Sequence, residues 1–79
     1  MAEVPTPEAS AREILSILIK GRSRPGEGSL ISQLNLAFID AGGAPVDFTA
    51  GLMFAGAQGW VEQGKNDFVL LTDAGFNEE

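Results

Sequence analysis

The stretch Gly59 to Gly75, GWVEQGKNDFVLLTDAG, decides how this chain is read. Trp60 to Gln63 and Phe68 to Leu71 are short runs marked by aromatic and β-branched residues, and Gly64 to Asp67 between them suits a tight turn. The segment therefore reads as a β-hairpin. Alternation along the strands sends Val61, Val69 and Leu71 to one face and leaves Trp60, Phe68 and Leu70 for the other face or the rim. Thr72 follows with a hydroxyl suited to capping a final helical turn through Asp73 and Ala74. The chain has no other convincing strand pair, so the segments before the hairpin must supply the rest of the core.

Those segments read as three helices. Thr6-Pro7-Glu8 is a start signal: a capping hydroxyl, a proline whose missing N–H costs nothing at the first helical position, and a carboxylate at the positive end of the dipole. A helix is predicted over residues 7–20, with Ala11, Ile14, Leu15 and Leu18 at i, i+3, i+4, i+7 spacing and Ile17 and Ile19 widening the stripe. Gly21 ends it. The segment GRSRPGEGS, residues 21–29, is a connector with room for one strand-like step at its end. A second helix begins at Ser29 or Ser32 and runs to Asp40 or Ala41, with Leu30, Leu34, Phe38 and Ala41 on one face, Ile31 and Ala37 beside it, and Gly42-Gly43 as the stop. Ala44-Pro45 continues that break. A third helix, capped by Asp47, runs from Phe48 to Gln58 with Phe48, Leu52 and Ala55 facing inward and Gly59 suited to a left-handed C-terminal position.

Three helices followed by a hairpin, with Gly59-Trp60-Val61-Glu62 at the junction and Leu71-Thr72-Asp73-Ala74-Gly75 after the second strand, resemble the winged helix-turn-helix domains of bacterial regulators. The resemblance covers Thr6 to Gly75 and points to the superfamily, with no particular family distinguished. It implies a mainly α fold with a small β-hairpin, a three-helix core carrying a C-terminal two-stranded wing. It also implies that the third helix enters a DNA major groove while the wing and the amino end of the second helix touch phosphates. Residues 6–76 would form the domain, residues 1–5 a flexible tail, and residues 77–79 a frayed acidic end.

Composition narrows the chemistry. A chain of 79 residues buries only roughly 60 to 65% of the surface that its unfolded form exposes, so oligomerisation would help it. The absence of Cys and His removes disulfides, thiolate nucleophiles, Cys/His zinc sites and every mechanism built on an imidazole. Ser10, Ser16, Ser23, Ser29 and Ser32 have no imidazole to activate them, and Glu78-Glu79 is the sole adjacent pair among the carboxylates. A non-catalytic protein is expected, with no catalytic residue, cofactor, metal or small-molecule substrate. Neither a signal peptide nor a membrane span is legible, and a cytoplasmic location is the default expectation.

Charge argues against the function that the resemblance suggests. The net charge is -6, and residues 47–79 hold one cation, Lys65, against Asp47, Glu62, Asp67, Asp73, Glu78 and Glu79. Phosphate binding rests on Lys and Arg, so this half is a poor platform for nucleic acid. The candidate nucleic-acid contacts are Lys20, Arg22 and Arg24 in and beside the connector, Thr49 and Gln58 at the margins of the third helix, and Lys65 and Asn66 in the wing. The outward face of the third helix, Ala50, Met53, Phe54 and Ala57, has no side chain that pairs bidentately with a base. Together with Phe68, Leu70 and Trp60 it suggests an apolar contact surface for a protein partner or a second copy, the alternative being that these residues are core. The expectation is a small protein-association module, possible as a homodimer; the alternative is a DNA-binding regulator using the Arg22/Arg24 loop and the wing.

Overall fold

The computed structural model describes residues 6–21 and 24–78, so the expected tail at 1–5 and the candidate Arg22 lie outside the described residues. Helix α1 spans Pro7–Lys20, strand β1 Gly28–Leu30, helix α2 Ile31–Asp40, helix α3 Pro45–Ala57, strand β2 Val61–Gln63, strand β3 Phe68–Leu71 and helix α4 Asp73–Glu78. The fold is mainly helical with a small antiparallel sheet of order β1-β3-β2. The sheet is thus three-stranded, where a two-stranded wing was expected. The end of the connector adds a third strand, pairing Gly28 with Leu70, Ser29 with Val69 and Leu30 with Phe68. Gly28 permits this, because a Cβ there would lie 1.7 Å from the Val69 carbonyl oxygen.

Helix α1 follows its start signal. Thr6 Oγ1 accepts a hydrogen bond from Ala9 N–H at 3.1 Å, and Pro7 opens the helix. Ala11, Ile14, Leu15 and Leu18 are buried, and α1 packs chiefly against α3. The approach is close because both partners are small there: a Cβ at Gly51 would sit 2.6 Å from Ser10 Cβ. This contact corrects the inward face expected for α3. Phe48, Gly51 and Ala55 are buried, whereas Leu52 is half-buried at the margin.

Two helix starts also differ from expectation. Neither Ser29 nor Ser32 caps α2; Ser29 is consumed by strand pairing, and Leu30 precedes the helix without a side-chain cap. Leu30 accordingly belongs to the sheet and not to the buried α2 face, which is formed by Leu34 and Phe38, while Ala41 is exposed. Helix α3 begins at Pro45, with Ala44 in the capping position. A proline read as part of a break instead opens the helix, since its fixed φ and absent N–H suit the first turn. Asp47 stands inside that turn, where its carboxylate faces the positive end of the dipole.

Several close contacts join the hairpin to its flanks. Gly59 takes the left-handed conformation after α3 with φ 77°, as expected of a glycine in that place. Trp60 lies outside β2 and is buried, 8% exposed, which corrects its assignment to an outer face or rim. Val61, Val69 and Leu71 close the core as expected. The turn is a short 3-10 segment, Lys65–Asp67, with Asn66 and Asp67 at φ 59° and 61°, left-handed values that these two residue types tolerate.

Thr72 binds this region together. Its hydroxyl donates to the carbonyls of Gly59 and Trp60 at 2.5 and 2.9 Å and accepts from Gly75 N–H at 3.1 Å. Thr72 N–H also donates to the Trp60 carbonyl at 3.1 Å. Gly75 is required by the same crowding, because a Cβ there would lie 2.1 Å from the Trp60 oxygen. Helix α4 then continues through Glu78, so Asn77 and Glu78 are helical where fraying was expected, and Glu79 lies outside the described residues. Glu78 Oε1 accepts from Arg12 Nη2 at 2.9 Å, tying α4 to α1.

Two substitutions should expose this dependence. Thr72→Ala removes a cap and a shared hydroxyl donor and is expected to cost about 1 to 2 kcal/mol. Gly75→Ala forces α4 away from Trp60, at about 1 to 3 kcal/mol. In a domain of this size these costs should lower the melting temperature by roughly 4 to 16 °C and roughly 4 to 24 °C respectively, in thermal unfolding followed by circular dichroism.

Candidate functional site

Helix α3 is apolar nearly all round, and Asp47 is its one charged residue. A helix of that kind buries all its faces or leaves an apolar one in water. Here α1 and the core take Phe48, Gly51 and Ala55. On the opposite side Val46, Ala50, Met53 and Ala57 recur at four-, three- and four-residue spacing, with Thr49 and Gly56 beside them. Val46 is 76% and Met53 71% exposed; Ala57 is exposed and Ala50 half-buried.

This stripe borders a groove of about 290 Å³ between α3 and the hairpin. Leu52, Met53 and Gly56 form its helical wall, and Val61, Glu62, Gln63 and Val69 its strand wall. Glu62 is the single charged residue lining it. Glycine at 56 keeps the helical wall low, since nothing lies within 4 Å of the place a Cβ would occupy.

The six residues expected to form one contact patch are divided by the structure. Met53, Ala57 and in part Ala50 face outward as expected. Phe54 does not: it is half-buried, with its ring set edgewise on Trp60 at 5.6 Å between centroids. Phe54 lies one residue beyond Met53, and that rotation of about 100° carries it from the stripe to the core margin. Phe68 and Leu70 lie on the opposite face of β3 from Val69, which lines the groove. Phe68 is 38% exposed there. Leu70 lines a separate shallow cavity with Glu62, Thr72 and Asp73. Val46 was missed because the helix was expected to start after it. Its signal, seven residues before Met53 and four before Ala50, is legible once Pro45 is read as a helix start. Leu36 and Ile39 on α2 are also exposed, at 63% and 39%.

Of the nucleic-acid candidates, Lys20, Arg24, Thr49, Gln58, Lys65 and Asn66 are all exposed. Arg24 lies beyond the Leu71 end of β3, where Gly26 N–H bonds the Leu71 carbonyl, whereas Lys65 lies beyond the Phe68 end. Four residues of strand hold these two cations roughly 10 Å or more apart. Each also has an acidic neighbour: Glu27 accepts from the Arg24 backbone N–H at 3.0 Å, and Asp67 closes the Lys65 turn. Arg12 is engaged by Glu8 and Glu78 at 3.1 and 2.9 Å and lies over the Trp60 ring. The hydrogen bonds, first from Glu78 and then from Glu8, raise its pKa above the ordinary arginine value.

The two adjacent residues of α3 separate surface from core experimentally. Met53→Ala is expected to change stability by no more than about 0.5 kcal/mol in urea denaturation, as for an exposed side chain. Phe54→Ala loses the Trp60 contact and partial burial, and is expected to cost roughly 2 to 3 kcal/mol. No family model, curated protein or solved structure matches the chain in comparisons of its sequence and fold.

Proposed function

We propose that this chain is a non-catalytic module of winged-helix architecture that works by associating with protein through the outward stripe of α3 and the groove beside it. The order of elements supports the architectural reading: helix, strand, two helices, then a hairpin whose second strand is central to the sheet. One observation carries the functional reading. The helix that a winged-helix DNA reader would place in the groove is uncharged on its outward face and exposes Val46 and Met53. Surface of that kind gains free energy when another apolar surface covers it, at about 25 cal/mol per Å² removed from water.

Photo-crosslinking from position 53 tests the reading. A benzophenone amino acid placed there, in cells that make the protein, is expected to give a discrete protein adduct that Val46→Glu removes. The same probe at Glu13, on α1, is expected to give none. No adduct from position 53, or one indifferent to Val46→Glu, would overturn it.

DNA binding is the second reading, favoured by the exposed Lys20, Arg24 and Lys65. Titration with mixed-sequence duplex at ~50 mM salt, where counterion release favours binding most, decides it. The expected outcome is no binding, and a salt-dependent complex weakened by Lys65→Ala would reverse the order of the two readings.

A further inference from the structure

The groove does not stand alone: the free edge of the sheet runs along it. In the order β1-β3-β2, strand β2 has β3 on one side and no strand on the other among the described residues. Which of its amides point outward follows from the bonds on either side. Thr72 N–H donates to the Trp60 carbonyl, and Gly64 N–H donates to the Phe68 carbonyl at 2.8 Å. Backbone direction alternates along an antiparallel pair, so the Trp60 carbonyl, both polar groups of Glu62 and the Gly64 N–H turn towards β3, while the Trp60 N–H donates to the Ala55 carbonyl of α3. Val61 and Gln63 therefore turn theirs away from β3; Gln63 is exposed at this edge, whereas Val61 is 5% exposed and is reached only at the rim of the groove. The side chains of the same two residues line the apolar groove against Leu52 and Met53.

From this juxtaposition we propose that β2 accepts an extended segment of another protein as an added strand, with apolar side chains seated in the groove and a cation opposite Glu62. The proposal rests on the protein-association reading and specifies its partner. Residues of the added strand opposite Val61 and Gln63 share their face and point into the groove, so they are apolar. The residue between them lies opposite Glu62 on the other face, beside the cavity that Glu62 lines with Asp73. An acidic surface there selects Lys or Arg. The bound motif is thus apolar, basic, apolar, in extended conformation.

The same register disfavours a second copy of this chain. Two β2 strands joined about a two-fold axis, with Val61 of each opposite Gln63 of the other, place Glu62 directly across from its own counterpart. Like charges in that position repel. On a protein of net charge -6, Glu62 is a guard against edge-to-edge self-pairing as well as a selector of basic partners.

The test uses the whole chain and a ten-residue synthetic peptide alternating valine and lysine, followed by amide NMR and hydrogen exchange. The expected result is saturable shifts and slowed exchange at the Val61 and Gln63 amides. N-methylation of the valine amides should weaken binding at least about tenfold, because it removes donors without altering charge. Replacing lysine by glutamate should do the same for wild type and much less for Glu62→Gln. Glu62→Val is expected to form concentration-dependent dimers in sedimentation while wild type does not.

Binding of the lysine peptide that leaves Val61 and Gln63 unchanged, or that N-methylation does not weaken, would overturn the strand addition. So would a wild-type dimer protected at these two amides. A position-53 adduct obtained alongside such a result would leave the association reading standing while this inference falls. Edge binding without any position-53 adduct would do the reverse.

Discussion

The Trp60 carbonyl and indole are the point on which the rest of the structure depends. The carbonyl receives the backbone and side chain of Thr72 and lies so close to Gly75 that no side chain fits there. The ring takes Phe54 of α3 on its edge and the Arg12 guanidinium of α1 over its face. Arg12 in turn reaches Glu78, at the far end of α4. One residue between a helix and a strand thus connects α1, α3, the hairpin and the C-terminal helix. The aromatic pair contributes about 1 kcal/mol beyond its buried area.

The close approach of α1 to α3 at Ser10 and Gly51 determines which way α3 faces. A helix carrying one charged residue has no polar side to turn towards solvent. Small residues decide the matter instead. Gly51 is drawn to α1 because it alone admits backbone contact there, and the side opposite, from Val46 to Ala57, is left in water. Domains of this size have too little interior to enclose another apolar face. The exposed stripe is therefore a consequence of the packing that makes the core.

In the proposed reading, charge and edge geometry would give this surface its selectivity. Apolar area would supply affinity without discrimination, whereas Glu62 on the other face of β2 and the edge of that strand would specify charge and backbone conformation. Among the described residues, Arg24 and Lys65 lie at the Leu71 and Phe68 ends of β3, Lys20 lies at the end of α1, and Arg12 is paired with Glu8 and Glu78.

Much of the architecture was legible in local chemistry. The start of α1, the left-handed Gly59, the hairpin, the inward Val61, Val69 and Leu71, and the cap formed by Thr72 all follow from propensities acting within four or five residues. The candidate surface was legible in type, an uncharged apolar helix in an acidic chain, but not in outline. Tertiary structure alone decided that Gly51 and not Leu52 faces α1, that Phe54 turns to Trp60, and that Phe68 and Leu70 lie across the sheet from Met53. It also recruited Gly28 to Leu30 as a third strand, which left β2 at the edge beside the groove. The physical reason is common to all of these. Side-chain periodicity states which residues seek burial, but when every face of a helix is apolar the choice passes to close contacts between residues distant in sequence.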